Sequence, residues 1–449
     1  MGKAIKIKKG LDIPLEGAAE KIVTNIDAAR YALKPTEFTG VFPKLLKKEG
    51  ARVKAGTALF YDKYNEKVKF TSPVSGTIEA INRGPKRVIE EVVIASDGKQ
   101  EYEQFDIGTA GSLAAEEIKE LLLASGLWAS IRRRPFEVIA HPEDKPKSIF
   151  ISAFDTHPLA PDLSFMAHGK GEEFQAGLDA LAKLTEGTIH LNINASEKNS
   201  GVFTNARNVQ INKFKGPHPA GNPGPQINHI DPIAKDEVVW HVNVQNLIAI
   251  GRFFLTGHYD TSRLIALTGS EVKKPQYFKT FAGTSIEPMV KDNLKNDHVR
   301  FISGNVLTGD KIYDKGFVGL YDHQVTVIPE GDYYEFVGWA TPGFNKFSTS
   351  HTYFSWLRPK KKYRIDTNLK GGHRALVMTG KFEQVFPFDI YPMHLLKAII
   401  INDIEEMEKL GIYEIAPEDF ALCEFIDTSK TEIQDIVHKG LEEARKELM

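Results

Sequence analysis

The sequence predicts a multidomain α/β plus β protein, and three features carry that expectation. Residues 36–96 contain short β runs punctuated by Pro and Gly, residues 112–194 alternate helix and strand signals, and the chain from about residue 390 onward has helical periodicity. With 449 residues there is room for roughly two to four domains. A hydrophobic fraction of 42% and a charged fraction of 26% are ordinary for a soluble globular protein. A net charge of −2 gives no global reason to expect nucleic acid. The one cysteine, Cys423, excludes an internal disulfide framework, an all-cysteine iron–sulfur cluster and a four-cysteine zinc site. A reducing, cytoplasmic compartment is expected.

The opening stretch MGKAIKIKKGLDIPLEG has no apolar run of signal-peptide length, and Lys6 breaks the myristoylation pattern. No stretch approaches the ~20 apolar residues of a spanning helix. Val238–Leu255 comes nearest but is interrupted by His241, Asn243, Gln245, Asn246 and Arg252.

Within 36–96, Glu49–Phe60 reads as a strand, a glycine turn and a second strand, followed by Thr71-Ser72-Pro73-Val74-Ser75-Gly76-Thr77-Ile78. This pairing resembles the lipoyl/biotinyl fold, whose members carry a modified lysine at a hairpin tip. Lys63 and Lys67 do not match that tip and read as surface lysines.

From Ser112 the period changes. Ser112 is a candidate cap, Glu116 and Glu117 suit a first turn, and Leu113, Ile118, Leu121 and Leu122 form a stripe that Gly126 closes. The next stretch, Ser125–Phe136 (SGLWASIRRRPF), leads toward a strand at Ser148–Asp155. That position in an α/β domain suits a phosphate-cradling loop, which needs glycines so that backbone N–H groups reach the ligand. Trp128, Ile131, Arg132, Arg133, Arg134 and Phe136 fill it instead, so it suits a flat ring or a partner surface rather than a dinucleotide. A helix over Glu172–Leu184 and a strand over Thr188–Asn194 follow. Gly169-Lys170-Gly171 begins like a dinucleotide fingerprint, but Phe174 occupies its third glycine.

Asn208–Asp231 reads as a long Pro/Gly loop holding His218 and His229; adding His241 gives no zinc-like spacing. Short strands are expected between Gly257 and Gly331, including Val299–Val306 and Gly319–Ile328. Trp356–Arg364 is the most basic run, and its aromatic flank suits a solvated face, a partner or anionic lipid headgroups. A helix is expected over Pro392–Leu410, and Ser429-Lys430-Thr431-Glu432 reads as a capping box opening a final helix.

These pieces, in this order, resemble the family of the A subunit of the sodium-translocating NADH:quinone reductase. The resemblance rests on IKIKKGLDIPLEG, VKFTSPVSGTIEAINRGPKRV, SGLWASIRRRPF, FISAFDTHPLAPD, FKGPHPAG, FLTG, VRFISGNVLTG and GWATPGFNKFS, collinear over nearly the whole chain. It implies a lipoyl/biotinyl-like barrel-sandwich module over 1–103 and a Rossmann-like α/β domain over 104–256. A β-grasp (SLBB-like) module over 257–335 and a mainly helical C-terminal domain over 336–449 complete the set. It further implies a peripheral protein on the cytoplasmic side of the cell membrane, soluble when isolated, in a six-subunit complex that couples NADH oxidation and quinone reduction to Na+ export. Its expected partners are the other subunits, especially the membrane B subunit and the C subunit, and a quinone, either ubiquinone or menaquinone. FMN, FAD and 2Fe-2S centres belong to partner subunits.

Two redox relatives, the flavoprotein NADH-binding subunit of complex I and the C subunit of the Rnf complex, keep a glycine-rich segment for FMN and NADH where this chain has SGLWASIRRRPF. They also keep a cysteine-rich C-terminal segment where this chain has only Cys423. Within the family, ALCEFIDTSK departs from the usual Phe-x-Cys-Pro-Gly-Lys. No tightly bound cofactor, metal or catalytic residue is therefore expected in this chain.

The resemblance links Arg30–Pro43 and Trp128–Phe136 to the quinone. The residues implicated are Gly40, Val41, Phe42, Trp128, Ile131, Arg132, Arg134 and Phe136. An aromatic ring stacks on a quinone, an Arg donates to its carbonyl, and apolar side chains line a tail groove. Against this stands a packing reading, in which Trp128 and Phe136 fill core space and the arginines pair with acids of a neighbouring domain or subunit. Asp155, His157 and His218 are expected to position loops. Replacing Trp128 or Arg132 by Ala is expected to weaken binding of a quinone analogue with the fold intact. An independent NADH-dependent flavoprotein and a lipoyl or biotinyl carrier are the alternatives.

Overall fold

The computed structural model describes residues 4–108, 113–197, 201–338 and 341–448. The largest sheet has seven strands in the order Ile5–Lys6, Gln210–Lys215, Thr188–Asn194, Ser148–Ser152, Val239–His241, Arg132–Arg134 and Val138–Ile139. The first five run parallel and the last two pairings are antiparallel. Helices cover it, as the apolar run Ile149-Phe150-Ile151 requires of a strand buried on both faces; on Thr188–Asn194 the buried apolar Ile189, Leu191 and Ile193 alternate with the equally buried His190 and Asn192. Helices Gly171–Ala182 and Val244–Thr256 approach closely at glycines. A Cβ on Gly251 would lie 1.7 Å from the Glu173 carbonyl oxygen, and one on Gly177 would lie 2.4 Å from that of Leu247.

Two small sheets form a module between Arg30 and Ser96. One runs Arg30–Leu33, Ile89–Ser96, Gly76–Arg83 and Arg52–Val53; the other runs Pro43–Leu45, Ala58–Asp62 and Asn65–Thr71. Their inner faces meet through Leu59, Phe60, Phe70, Ile78 and Val92, with the Phe60 and Phe70 rings stacked at 4.6 Å. Lys63 sits in the exposed turn between Ala58–Asp62 and Asn65–Thr71, and Lys67 is exposed. The strands ahead of this module belong elsewhere: Ile5–Lys6 edges the large sheet, and Glu20–Asn25 pairs with Gln276–Phe281. The latter closes a six-stranded mixed sheet of Asp310–Ile312, Val299–Ser303, Gln324–Pro329, Ser262–Thr268, Gln276–Phe281 and Glu20–Asn25. The helices beyond residue 380 share a core of Phe386, Leu396, Phe420, Val437 and Leu441, which Phe136 and Ile13 join from the N-terminal half.

Helix Ala115–Ser125 has Glu117 accepting from the Ala114 N–H at 2.7 Å and stops at Gly126; the Ser112 cap lies outside the described residues. Helix Gly171–Ala182 and strand Thr188–Asn194 follow the expected periodicity, and the 148 strand ends at Ser152. The strands expected at 299–306 and 319–328 occupy Val299–Ser303 and Gln324–Pro329.

Three readings are corrected. The loop expected over 208–231 contains strand Gln210–Lys215 and helix Pro223–Ile230. Pro223 starts that helix, where its missing N–H costs nothing because first-turn donors have no intrahelical partner. The helix expected over 392–410 is two, Pro392–Ile400 and Ile404–Lys409. Asn402 turns left-handed at φ +57° and Asp403 caps the second by accepting from the Glu406 N–H at 3.0 Å, which leaves Ile400 outside the core. The capping box at 429–432 does not form. Ser429 Oγ donates to the Ala375 carbonyl at 2.9 Å, and the first turn of Ile433–Leu448 is capped by Glu424, which accepts from the Gln434 N–H at 2.8 Å. Among the described residues no helix is long and apolar enough to cross a membrane.

Candidate functional site

A cleft of about 450 Å3 opens where distant stretches of the chain converge. Thr36 and Glu37 come from the small β module, Arg132, Phe136 and Glu137 from the hairpin at one end of the large sheet, Asp155 and His157 from the loop after its middle strand, Gly304 to Gln324 from the six-stranded sheet, and Glu418 to Arg445 from the C-terminal helices.

One wall is the hairpin that ends SGLWASIRRRPF. Leu127–Ser130 forms a 3-10 turn and Arg132–Arg134 a strand against Val239–His241, so the stretch is ordered structure rather than an open loop. Phe136 (φ +76°) and Glu137 (φ +53°) then adopt left-handed conformations that side chains with a Cβ disfavour. Their strain is held by charge. Glu137 forms ion pairs with Arg132 Nη2 at 2.9 Å and Arg134 Nε at 2.6 Å, and its Oε1 meets His241 Nε2 in a hydrogen bond at 2.8 Å. Burial alone would push the Glu137 carboxyl up, but Arg132, His241 and Arg134 hold it well below the usual range. Arg132 also lies 4.8 Å over the Tyr321 ring, whose hydroxyl donates to the Ala129 carbonyl at 2.7 Å.

Beyond the end of strand Ser148–Ser152 stands a histidine held by a carboxylate. Asp155 Oδ1 accepts from the His157 N–H at 2.8 Å and meets His157 Nδ1 at 2.6 Å. Burial opposes charge on both groups, yet each stabilises the other. The Asp155 carboxyl is held down to about 2, and the His157 imidazole is raised above its ordinary value. His218 lies behind, its ring 4.6 Å from that of His157, and burial together with the His157 charge keeps it neutral. It meets Thr156 Oγ1 at 3.2 Å, and its N–H donates to Asp12 at 2.9 Å, so it ties the N-terminal segment to this loop.

The facing wall is acidic. Lys34 Nζ reaches Glu37 at 2.6 Å, Glu37 also accepts from the Leu320 N–H at 2.9 Å, and Asp322 accepts from Ser303 Oγ at 2.5 Å. Burial pushes both carboxyls upward, and the Asp322 charge adds to the rise at Glu37. His323, beside them, is held down to about 3 by burial and then by Arg263.

The residues singled out in the sequence divide sharply. Arg132, Phe136, Asp155 and His157 line the cleft. Trp128 and Ile131 have no exposed surface; the Trp128 indole packs edge-on to Trp240 at 5.5 Å and donates to the Ala140 carbonyl at 2.7 Å. Arg134 is equally sealed, behind the cleft wall. Val41 packs against the main core, while Phe42 is exposed and meets Tyr64 edge-on at 5.1 Å, so neither they nor Ile131 form a tail groove in the cleft. Gly40 sits at the rim, against the Arg445 guanidinium. The sequence reading missed Glu37, Glu137, Asp322, His323 and Arg445. Glu37 lies inside RYALKPTEFTGVFP, but nothing local distinguishes it from a surface acid.

Among the described residues no cluster of His, Cys, Asp and Glu has metal-holding geometry. Cys423 is buried in the C-terminal core, where burial pushes its thiol well above the ordinary value.

Three family models match: the NqrA N-terminal barrel-sandwich hybrid domain over residues 5–97, the NqrA second alpha/beta domain over 113–259 and the NQRA C-terminal domain over 264–314. The chain is 38% identical over 449 residues to the A subunit of the Na(+)-translocating NADH-quinone reductase of Pasteurella multocida, with 99% of this chain and 100% of the relative covered. The corresponding protein of Yersinia pestis bv. Antiqua is likewise 38% identical, and that of Neisseria meningitidis serogroup A is 39% identical over 450 residues, with the same coverage. An NAD+-reducing NiFe hydrogenase in the air-oxidized state aligns over 75% of this chain and 63% of its own, at 11% identity and a TM-score of 0.38, a likeness too slight to build on. Three domain matches in chain order and end-to-end relatives place the protein in the NqrA family, the A subunits of the Na(+)-translocating NADH-quinone reductase.

Proposed function

We propose that this chain is the peripheral A subunit of a Na+-translocating NADH:quinone reductase, working with the membrane B subunit, the C subunit and the remaining subunits on the cytoplasmic side of the membrane. The observation that carries this reading is 38% identity over 449 residues, with the relative covered from end to end. The large-sheet unit is read as Rossmann-like, flanked by a barrel-sandwich module near the N-terminus, an SLBB-like module over 257–335 and a helical C-terminal unit. Flavins and the iron–sulfur centre are assigned to partner subunits, and the isolated chain is read as non-catalytic.

The cleft is read as the place where this protein holds or borders the quinone head. Arg132 offers a guanidinium already oriented by Glu137 and Tyr321, and the mostly buried Phe136, edge-on to Tyr413 at 6.2 Å, borders it. Both suit a flat ligand with acceptor oxygens. The test is reconstitution. The complex lacking this chain is expected to lose NADH-driven quinone reduction and recover it when the chain is added back, while the purified chain shows no flavin spectrum and no NADH-dependent dye reduction. Dye reduction by the chain alone would identify an independent flavoprotein instead.

A further inference from the structure

The cleft wall contains a buried ring nitrogen with no partner. His157 Nε2 is buried with no hydrogen-bond partner among the described residues, and the His157 side chain, 15% exposed, lines the cavity. The opposite nitrogen is fully committed. Asp155 Oδ1 takes both the His157 backbone N–H and Nδ1, at 2.8 Å and 2.6 Å, which fixes the ring plane and directs the free nitrogen away from the carboxylate. A buried imidazole left so costs free energy unless something fills the gap.

We propose that His157 Nε2 donates a hydrogen bond to an oxygen of the ring bound in this cleft, with Asp155 as the positioning residue. This rests on the quinone reading given above and deepens it. The Asp155 carboxylate accepts the Nδ1 proton, so the tautomer that Asp155 selects on the neutral ring bears no proton at Nε2. The donor is therefore the imidazolium, and the surroundings favour that form. Asp155 on the same loop stabilises it, and Glu418 from the 3-10 turn Pro417–Phe420 adds to the effect while itself held by Arg134 at 2.9 Å. His218, packed behind from the loop after strand Gln210–Lys215, is neutral and so does not compete for the proton. A carbonyl or phenolate oxygen is the acceptor that suits a charged N–H; an ammonium or other cation is excluded by the same charge.

The experiment titrates the full-length chain with a short-chain, water-soluble quinone analogue by calorimetry, between about pH 5.5 and 9, a range that brackets the ordinary histidine value. Wild-type affinity is expected to fall as pH rises through the His157 titration. His157→Phe keeps ring volume without the donor; it should weaken binding about tenfold or more, the size of a charged hydrogen bond, and flatten the pH profile. Asp155→Asn keeps His157 but removes its anion, so the fall should move to lower pH. That shift is a change a merely structural role would not produce, and it keeps the test valid if the Phe variant fails to fold. Wild-type affinity and pH profile retained in folded His157→Phe, or an unmoved profile in Asp155→Asn, overturns the assignment of His157 alone. No binding by the wild type at any pH overturns the quinone reading itself.

Discussion

Arg134 Nη1 and Asp419 Oδ2 meet at 2.6 Å with both side chains sealed from solvent, across 285 residues of chain. Arg134 also reaches Glu137 at 2.6 Å and Glu418 at 2.9 Å, so one guanidinium binds the large sheet to the C-terminal helices and backs the cleft wall. The three carboxylates hold its proton more tightly than usual, against the pull of burial. Arg134→Met is expected to destabilise the chain by about 3–5 kcal/mol, because it leaves buried carboxylates without their cation. Arg134→Lys, which keeps the charge but not the fork, should lose less. Urea unfolding midpoints measure both, and a change within experimental scatter for Arg134→Met would refute the network's role.

Trp128 contributes to the core, not to the cleft surface. Trp128→Ala is expected to cost about 3–5 kcal/mol through the cavity it opens, and to leave the Ala140 carbonyl without its donor. The expectation that this variant keeps its fold and loses only ligand contact is thereby revised; Arg132→Ala, at the cleft surface, also removes one cation from Glu137, which Arg134 and His241 still hold, so it costs less stability than Trp128→Ala. Thermal melts of the two variants side by side check this, and a wild-type melt for Trp128→Ala would sink it.

Gly40 stands at φ +80°, and a Cβ there would lie 2.7 Å from Arg445 Nη1. Gly40→Ala carries two costs, a left-handed backbone penalty of about 1–2 kcal/mol and displacement of the guanidinium from the cleft rim. In an Arg445→Ala background only the backbone cost should remain. A double-mutant cycle that shows no coupling between the two positions would contradict this contact.

Glu271 is nearly sealed and accepts from Arg364 Nε at 2.6 Å and Nη2 at 3.0 Å, with Asn296 and Ser270 adding further donors. Led by Arg364, these hold its carboxyl down to about 2. The unfolded value is ~4.3, so the folded group is depressed and its contribution is fully present above that value and lost as pH falls toward 2. The stability gap between wild type and Glu271→Gln is therefore expected to be constant near neutrality and to close below about pH 4. Denaturation midpoints across the acid range measure the gap, and one that stays constant down to pH 2 would rule out this linkage.

Local signals were legible where local physics decides. The stop of Ala115–Ser125 at Gly126, the helix at Gly171–Ala182 and the strand at Thr188–Asn194 follow from periodicity and end chemistry within a few residues. The strand at Gln210–Lys215 was hidden by its Pro- and Gly-rich surroundings, because what makes it a strand is the slot between Ile5–Lys6 and Thr188–Asn194. The capping box at Ser429 was misleading for the same reason: Glu424 and the Ala375 carbonyl, invisible to a local reading, took its hydrogen bonds.

By itself the sequence determined family membership, the order of its modules and the bulky, basic character of Ser125–Phe136, since all three are written in residue types along the chain. Only the tertiary structure decided that Trp128 and Arg134 are sealed while Arg132 and Phe136 face a cavity, and that Glu37, His157 and Arg445 share that cavity with them. Packing explains the first division: Arg132 and Arg134 stand two apart on one strand, and Arg134 is sealed where Glu418 and Asp419 from the C-terminal half close over it. Convergence explains the second: the cleft is assembled from residues hundreds of positions apart, and no spacing along a chain encodes a meeting made only by packing.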